Sequence, residues 1–260
     1  MEGKSPGADG PRWRSVATVI AVVMVVAIAG AIGFTVARDL FAPDETSDLS
    51  TVWTPDQEAP SGLGSLPVEP GLTIEGDTPC PAADGTAPRT TQFEQPPPMC
   101  IDPARRYVAT VSTTKGLFQI TLDAGRAPQT VNNFVVLAHY HFYEGIAFHR
   151  IIPGFVAQAG DPMGNGRGGP GYTVPDELPA PGDYEIGSVA MANSGPDTNG
   201  SQFFVVTGPA GVSLPPSYSL FGEVTNGLEV VEAIEALGSP SGEPTALVTI
   251  TSISISIVEG

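Results

Sequence analysis

Basic residues are scarce in this sequence of 260 residues, which has 11 Lys and Arg against 28 Asp and Glu and a formal net charge of −17. Nucleic-acid binding needs basic side chains grouped on one face to neutralise phosphates, so this composition excludes a generic nucleic-acid-binding surface. The same charge disfavours adhesion to an anionic membrane through a charged face. The two cysteines are too few for a disulfide scaffold and too poorly spaced for a zinc site.

The usual equipment for breaking covalent bonds is also missing. No Ser or Cys stands beside an obvious base and no metal-ligand spacing is present, so we expect neither a metal nor a cofactor. Ser201 occurs in Asn-Gly-Ser-Gln rather than in a Gly-x-Ser-x-Gly elbow, which excludes a serine hydrolase. The glycine-rich stretch 164–171 has no Lys-Ser/Thr after it, and this favours a flexible loop over a nucleotide site. The expected chemistry is therefore electrostatic and conformational.

The N-terminus contains a long uncharged run. Ser15–Ala37 is rich in Val, Ile and Ala and, at 23 residues, is long enough to span a bilayer. Arg12 and Arg14 precede it and acidic residues follow it, so the positive-inside rule leaves residues 1–14 in the cytoplasm and the rest of the chain outside. We predict a single-pass protein of the cell membrane, with residues 15–37 as a signal anchor. The alternative is a signal peptide that is cleaved after the small residues Thr35-Val-Ala37.

Residues 38–103 are predicted to be an acidic, proline-rich linker. Acidic residues outnumber basic ones by twelve to two, and no sustained period of 2 or 3.6 is visible. Such a segment buries too little apolar area to offset its conformational entropy, so we expect it to be extended and largely disordered. As a flexible coil it would hold the following domain about 40–50 Å from the membrane. A spacer is the favoured interpretation, and a binding segment displayed by the domain is the alternative.

Cys80 and Cys100 lie at the far end of this linker. Outside the cytoplasm a disulfide is chemically permitted, and closing a loop of about 20 residues would remove roughly 3 kcal/mol of unfolded-chain entropy. We expect a structural disulfide, with two free thiols as the alternative. A redox-active pair is not expected, because the spacing is unlike Cys-x-x-Cys.

Residues 104–260 are predicted to form the folded domain, which contains two helices. In 127–139 the apolar residues recur at helical spacing and Pro128 suits an early helical position, so this segment predicts an amphipathic helix. A second, short helix is predicted at 228–236, closed by Gly238.

The rest of the domain is predicted to be mainly β. Two alternating runs, 107–113 and 117–122, are joined by a Gly-containing turn and predict a β-hairpin. In the last strand, apolar residues fall at even positions up to Ile250 and at odd positions from Ile253 to Ile257. One strand cannot present both sets to the same face, so we predict a bulge or bend near Thr251-Ser252.

Two segments about 40 residues apart are the most informative part of the sequence. They are 148–161 (FHRIIPGFVAQAGD) and 191–204 (MANSGPDTNGSQFF). Each mixes large apolar residues with one or two polar groups, which is typical of a small apolar pocket with a few directed polar contacts. The polar groups are Arg150, Gln158, Asn193 and Gln202.

Both segments resemble the signature of the cyclophilin-type peptidyl-prolyl cis-trans isomerases, and the similarity extends from about Arg106 to the C-terminus. The resemblance implies an eight-stranded antiparallel closed β-barrel capped by two α-helices. It also implies an isomerase, or rotamase, that needs no metal or nucleotide and acts on proline-containing polypeptides during protein folding.

The reaction of this family breaks no covalent bond, which agrees with the lack of bond-breaking residues in the sequence. Amide resonance raises a barrier of about 18–20 kcal/mol to rotation of an X–Pro bond. A fixed positive donor near the prolyl nitrogen favours the twisted state, in which the lone pair is localised on nitrogen. Arg150 occupies the arginine position of the motif and is expected to supply this donor, although an Arg can also serve only to pair with a carboxylate.

By resemblance, further residues take catalytic or binding roles. The catalytic group is Arg150, Phe155 and Gln158, in which Gln158 orients Arg150 and hydrogen-bonds the substrate backbone. Asn193 is expected to hold the substrate chain and Gln202 to line an adjoining pocket beside Ala192. His149 is expected to be structural, since no proton has to move. The substrate-binding group comprises Val156, Ala192, Asn193, Gln202, Phe204, Leu214 and Tyr218.

The proline pocket itself is expected to consist of apolar side chains, each of which has ordinary core packing as its alternative role. Val156 replaces the methionine more usual in the family. Ser213 stands where eukaryotic members commonly have Trp, and Tyr218 stands at a histidine position after a one-residue length change. The missing indole predicts weak cyclosporin binding, with isomerase activity retained. The expected pocket residues are Phe155, Val156, Phe204 and Leu214.

The sequence therefore predicts a bacterial, membrane-anchored cyclophilin that accelerates X–Pro isomerisation in proteins folding outside the membrane. The alternative is a proline-binding or chaperone module that holds such segments without useful turnover. The enzyme is favoured by the retained motif residues Arg150, Phe155, Gln158, Asn193 and Phe204. Val156 and the altered segment from Ser213 to Tyr218 leave room for the binding module.

Overall fold

The computed structural model of the protein describes Met1 and residues 68–258. None of the helices in this part of the chain is long and apolar enough to cross a membrane. The predicted cytoplasmic segment 1–14, the predicted anchor at 15–37 and the first part of the predicted linker, 38–67, lie outside the described residues.

The described chain is mainly β with a few helices. Its helices are α1 (Pro128–His139), α2 (Pro209–Val212) and α3 (Leu228–Glu235). Its strands are β1 (Leu72–Ile74), β2 (Thr90–Phe93), β3 (Arg106–Thr113), β4 (Gly116–Leu122), β5 (Arg150–Ile152), β6 (Val156–Ala159), β7 (Ser188–Met191), β8 (Phe203–Val206), β9 (Leu220–Asn226) and β10 (Ile250–Val258).

The main sheet has eight strands in the order β10-β3-β4-β9-β7-β8-β6-β5, and all its pairs are antiparallel. The sheet curls until the segments that lead into its two outer strands meet, where Ala147 bridges Thr249 and the Phe148 N–H donates to the Val248 carbonyl at 2.9 Å. The predicted closed barrel is therefore a curled antiparallel sheet, in which an isolated bridge rather than a continuous ladder joins β5 to β10.

The predicted hairpin and the predicted bulge are both confirmed. Strands β3 and β4 pair from Tyr107–Leu122 to Thr113–Gly116, as the alternating pattern indicates. In β10 the register shifts between Ile250 and Ser252, which allows both Ile250 and Ile253 to be buried. The odd-numbered apolar residues are not all buried, because Ile257, near the end of the strand, is 48% exposed.

Helix α1 is found where it was predicted, with Pro128 in its first turn. Its first N–H groups are capped from a distance, since the Glu177 carboxylate accepts the N–H groups of Gln129 and Thr130 at 3.0 and 2.8 Å. The helix is less amphipathic than its sequence suggests, because residues 130–138 are all buried. The Phe134 ring lies at the centre of the domain, with ring centroids of neighbouring aromatic residues at 5.2–5.6 Å, namely Tyr143, Phe203 and Phe221.

Part of the polar side of α1 is covered by residues 68–103, which pack against the domain; we call this segment the N-terminal extension. Phe93 in β2 is only 3% exposed, and its N–H donates to the Pro170 carbonyl at 2.8 Å. The Tyr140 hydroxyl donates to the Pro79 carbonyl at 2.9 Å. A disulfide joins Cys80 to Cys100, with the two sulfurs 2.08 Å apart.

The linker was expected to be disordered over 38–103, but residues 68–103 are folded against the domain. The folded part therefore begins well before the boundary expected at residue 104. The physical reason is that the extension, besides pairing its own strands β1 and β2, packs apolar side chains against the end of α1 and against Tyr172. The Phe93 ring, for example, lies 5.3 Å from Tyr140 and 6.0 Å from Tyr172. The spacing of apolar residues within the segment cannot reveal contacts with residues so far along the chain.

Candidate active site

The domain has a small apolar cleft beside strands β5, β6 and β8. Eight residues line it, and each was singled out in the sequence: Arg150, Phe155, Val156, Gln158, Ala192, Phe204, Leu214 and Tyr218. The two other predicted substrate-binding residues, Asn193 and Gln202, do not line the cleft but lie next to it through hydrogen bonds described below.

Strand register brings the key side chains together. Arg150 pairs with Gln158 across β5 and β6, and Gln158 pairs with Phe204 across β6 and β8. Residues directly opposite each other in an antiparallel sheet project to the same face, with Cβ atoms about 5 Å apart. One row across three strands therefore places a cation, an amide and an aromatic ring on the same side.

The short helix α2, which sequence reasoning missed, fixes the far wall. The Thr207 N–H donates to the Phe155 carbonyl at 3.0 Å, and the Ala210 N–H donates to the Gly154 carbonyl at 3.1 Å. The turn before β6 and the start of α2 lie so close that a Cβ on Gly208 would come within 2.5 Å of the Gly154 backbone. The end of α2 then places Leu214 at the cleft, where the Leu214 N–H donates to the Gly211 carbonyl at 3.2 Å.

The apolar walls are firmly held. Phe155, Val156 and Phe204 are 6%, 2% and 4% exposed. The Tyr218 ring meets Phe204 edge to face, with centroids 5.4 Å apart, an arrangement that aromatic pairs prefer. Behind it, the Tyr184 hydroxyl donates to the Tyr218 carbonyl at 2.7 Å. Tyr218 thus supplies the aromatic wall expected at this position.

Arg150 is the cation of the cleft. Its Nη1 donates to Gln158 Oε1 at 3.3 Å, and its guanidinium carbon lies 5.6 Å from the centroid of the Phe155 ring. Its Nη2 is buried and has no hydrogen-bond partner among the described residues. Burial lowers the pKa of Arg150 to about 10, an effect that the nearby Tyr218 partly offsets, so the group is charged at neutral pH. No carboxylate of the described chain forms an ion pair with it, in contrast to the alternative role considered above.

Gln158 and Gln202 continue a line of hydrogen bonds away from Arg150. Gln158 Nε2 donates to Gln202 Oε1 at 3.0 Å. Gln202 Nε2 donates in turn to the carbonyls of Gly166 and Gly168, at 2.9 Å each. The sequence predicted Gln202 as the lining of an adjoining pocket and gave no sign of this link to the glycine-rich loop.

Asn193 braces the segment that carries Tyr218. Its Nδ2 donates to the Ser217 carbonyl at 2.9 Å, and its Oδ1 accepts the Gly195 N–H at 3.3 Å. The side chain is 7% exposed. The expected contact between Asn193 and the substrate chain stays a prediction.

His149 lies next to Arg150 in sequence but does not line the cleft. Its side chain is 2% exposed, and neither ring nitrogen makes a hydrogen bond to the described residues. Burial lowers the pKa of His149 to about 4, although the negative charge of Asp161 acts to raise it. The ring is therefore neutral at neutral pH. A neutral ring shut away from the cleft fits the structural role that was predicted for it.

Asp161, the last residue of the first motif, has a role that sequence reasoning missed. It is 1% exposed, and its carboxylate accepts the N–H groups of Met163, Asn165 and Gly166 at 2.7, 2.9 and 2.5 Å. A Cβ on Gly168 would overlap Asp161 Oδ1. An Asp three residues before a glycine-rich run was the available signal, because short acidic side chains commonly accept nearby backbone N–H groups in turns.

The outer edge of β5 is covered. The Ile151 N–H donates to the Gly242 carbonyl at 2.8 Å, and the Ser239 N–H donates to the Ile151 carbonyl at 3.1 Å. A Cβ on Gly242 would lie 3.1 Å from Arg150 Cγ. The loop after α3 therefore packs along the strand that carries Arg150.

Comparison with known proteins gives a consistent result. Residues 108–255 match the family described as cyclophilin type peptidyl-prolyl cis-trans isomerase/CLD. Peptidyl-prolyl cis-trans isomerase A of Mycobacterium tuberculosis is 42% identical over 173 residues, which cover 59% of this chain and 94% of that protein. Peptidyl-prolyl cis-trans isomerase B of Streptomyces anulatus is 43% identical over 151 residues, which cover 51% of this chain and 86% of that protein.

A solved structure is also similar. A cyclophilin type peptidyl-prolyl cis-trans isomerase of Cryptosporidium parvum matches with a TM-score of 0.53 and 30% identity over 60% of this chain and 99% of its own. The crystal structure of that protein in the presence of the dipeptide ala-pro matches with a TM-score of 0.52. With the family match, the curled antiparallel sheet and the cleft in agreement, the chain belongs to the cyclophilin-type peptidyl-prolyl cis-trans isomerases, a family of isomerases.

Proposed function

We propose that this protein is a membrane-anchored cyclophilin that accelerates rotation about X–Pro bonds in proteins folding outside the cytoplasmic membrane, with Arg150 polarising the prolyl nitrogen. The observation that carries the proposal is the buried Arg150 Nη2, which has no hydrogen-bond partner among the described residues at an apolar cleft. An unsatisfied buried donor costs free energy, so its presence favours a role in which a ligand supplies the missing acceptor.

The cleft would bind the proline ring. Phe155, Val156 and Phe204 give it apolar walls that suit a proline ring, and all three are almost fully buried. Exclusion of water from such a site strengthens the interaction between a fixed cation and a developing lone pair. Binding the ring alone would stabilise ground and twisted states alike, so the rate gain has to come from the cation.

Arg150 would act on the twisted amide. In the planar amide, the nitrogen lone pair is delocalised into the carbonyl, and it becomes available as an acceptor only as the C–N bond twists. A guanidinium N–H that is aimed at the nitrogen therefore binds the transition state more strongly than either planar isomer. Gln158 holds Nη1, and this leaves Nη2 for the prolyl nitrogen.

The substrate class is proposed to be proline-containing polypeptides. The related Cryptosporidium parvum isomerase whose structure was solved in the presence of the dipeptide ala-pro supports this choice. Gln158 and Asn193 are proposed to hydrogen-bond the substrate backbone on either side of the proline. Weak cyclosporin binding remains a prediction from Ser213, and inhibition of the isomerisation rate by cyclosporin would measure it.

The location outside the membrane is proposed from the uncharged run Ser15–Ala37 with Arg12 and Arg14 before it. The joined Cys80 and Cys100 support this placement, because structural disulfides persist mainly in oxidising compartments. Accessibility of a cysteine placed near the C-terminus to a membrane-impermeant thiol reagent in intact cells would test the orientation.

The activity is tested with the full-length chain and a short Ala-Pro peptide. We expect Arg150→Ala to lower kcat/KM by about 10²- to 10³-fold, as is typical when one transition-state donor is removed. Arg105→Ala is the matched control, since the Arg105 side chain is 59% exposed and lies away from the cleft. A folded wild-type protein that binds the peptide without accelerating its isomerisation would instead identify a proline-binding module.

A further inference from the structure

The hydrogen bonds that hold Gln158 form one continuous line from the glycine-rich loop to the cleft. The line runs from the carbonyls of Gly166 and Gly168 to Gln202, from Gln202 to Gln158, and from Gln158 to Arg150, with donor–acceptor distances of 2.9, 2.9, 3.0 and 3.3 Å. Gln202 is the middle member, and it lies outside the cleft lining.

The chemistry of the two ends fixes the direction of every bond. Carbonyl oxygens can only accept, so Gln202 must turn its NH₂ group toward Gly166 and Gly168 and its oxygen toward Gln158. A guanidinium can only donate, so Gln158 must turn its oxygen toward Arg150 and its NH₂ group toward Gln202. Both amide orientations therefore follow from groups whose roles cannot be exchanged, and not from a choice between two similar amide rotamers.

The loop end of this line is itself fixed. The Asp161 carboxylate accepts three backbone N–H groups of the loop and is 1% exposed. The N-terminal extension holds the other side, through the bond from the Phe93 N–H to the Pro170 carbonyl. Two carbonyls in a loop fixed at both sides give Gln202 a rigid anchor.

We propose that Gln202 is a positioning residue for isomerisation: anchored by the Gly166 and Gly168 carbonyls, it keeps the Gln158 oxygen turned toward Arg150 and so holds the free Nη2 at the cleft. This inference rests on the proposed role of Arg150. Without Gln202, the Gln158 NH₂ group loses its acceptor, and the Gln158 side chain is free to move away from Arg150. Arg150 Nη1 would then lose its own acceptor, and the guanidinium would leave its position.

The test compares Gln202→Leu with Gln119→Leu in the full-length chain. Gln119 is a matched control because its Nε2 also donates to a side chain, Thr110 Oγ1 at 3.2 Å, but on β4, away from the cleft. We expect Gln202→Leu to lower kcat/KM for an Ala-Pro peptide by about tenfold, with the Kd of the peptide changed by less than about twofold. Gln119→Leu is expected to leave both quantities at their wild-type values.

A double-mutant cycle shows whether Gln202 acts through Gln158. In a Gln158→Leu background, Gln202→Leu should have almost no further effect on kcat/KM, because the residue it positions is gone. An equal loss in both backgrounds would overturn the inference and would mean that Gln202 contacts the substrate directly. No loss from Gln202→Leu alone, while Arg150→Ala abolishes catalysis, would also overturn it and would leave the proposed function intact.

A second readout does not depend on catalysis. In the wild type, the side-chain Nε–H resonance of Arg150 reports the environment of the guanidinium, and we expect it to shift in Gln202→Leu but not in Gln119→Leu. If Gln202→Leu fails to fold, Gln202→Glu takes its place, since a carboxylate cannot donate to the two carbonyls. An unchanged Arg150 resonance in a folded Gln202 variant would refute the positioning role, whatever Arg150→Ala does to the rate.

Discussion

Asn132 in helix α1 and Cys100 in the N-terminal extension are joined through one side-chain amide. Asn132 Oδ1 accepts the Cys100 N–H at 2.7 Å and the Ile101 N–H at 3.2 Å, while Nδ2 donates to the Pro98 carbonyl at 2.9 Å. A polar residue on a helix face that would otherwise be solvent-exposed thus satisfies three backbone groups of a segment 32 residues earlier. This amide is therefore one of the contacts that hold the proline-rich segment against the domain.

Asn132→Leu is expected to lower the free energy of unfolding by about 1–3 kcal/mol, because it keeps the volume but leaves one buried and two partly buried backbone groups without partners. Chemical unfolding with urea measures the loss. Gln129→Leu on the exposed side of the same helix is the control and should change stability by less than about 0.5 kcal/mol. Equal effects of the two substitutions would show that the extension is held by other contacts.

Replacing both Cys80 and Cys100 by Ser is expected to lower the free energy of unfolding by about 3 kcal/mol, the entropy of the loop that the disulfide closes. The isomerisation rate well below the melting temperature should persist, since neither sulfur lies at the cleft. Thermal melts of the double variant and of the wild type, each with and without reductant, make the comparison. If reductant leaves the melting temperature of the wild type unchanged, the prediction is wrong.

Arg150→Lys is expected to lower kcat/KM by about 10- to 100-fold although it keeps the positive charge. An ammonium cannot bond Gln158, stack on Phe155 and point a second donor into the cleft at once, whereas the guanidinium fork does all three. The measurement is peptide isomerisation, with Arg105→Lys as the control. Wild-type activity in Arg150→Lys would mean that charge alone is sufficient.

The stability of the protein should fall as the pH decreases from about 6.5 to 4, because of His149. Burial lowers the pKa of His149 to about 4 in the folded state, whereas the unfolded chain binds the proton near pH 6.5. The unfolded state therefore binds more protons in this window, and the loss approaches about 3 kcal/mol at its acid end. Hydrogen bonding to the Gly85 carbonyl raises the pKa of His141. His141 therefore contributes stability that is lost as the pH rises, which is the opposite pH dependence to that of His149.

Urea unfolding at pH 4.5 and 7.5 tests the assignment to His149. The difference in unfolding free energy between the two pH values should shrink in His149→Phe, because the group that takes up the proton on unfolding is removed. His141→Phe serves as the comparison and should change the difference in the opposite direction. The same pH dependence in wild type and His149→Phe would refute the assignment.

Much of the local structure could be predicted from the sequence because its causes are local. The β3–β4 hairpin follows from two alternating runs and a turn glycine, and α1 follows from helical spacing after Pro128. The bulge in β10 follows from a change of phase that one flat strand cannot accommodate. The cleft residues could be named through the resemblance to the cyclophilins, and the register of β5, β6 and β8 brings Arg150, Gln158 and Phe204 together.

The rest depends on pairings between distant parts of the chain. The order of the N-terminal extension depends on Asn132 and Tyr140, neither of which its own composition reveals. The link from Gln202 to the loop needs two carbonyls at 2.9 Å, and backbone carbonyls leave no trace in a sequence. Helix α2 is only four residues long and begins with Pro-Ala-Gly, too short for any period to be seen.

The loop that covers the outer edge of β5 has a consequence for the proposed action on incompletely folded chains. Polypeptides with unsatisfied backbone groups readily add to an open strand edge, and β5 lies directly beside the proposed site of isomerisation. The bonds between Ile151 and the loop at Gly242 and Ser239 occupy that edge. Under the proposed function, a bound chain can therefore engage the cleft by its proline without being added to the sheet as a further strand at β5.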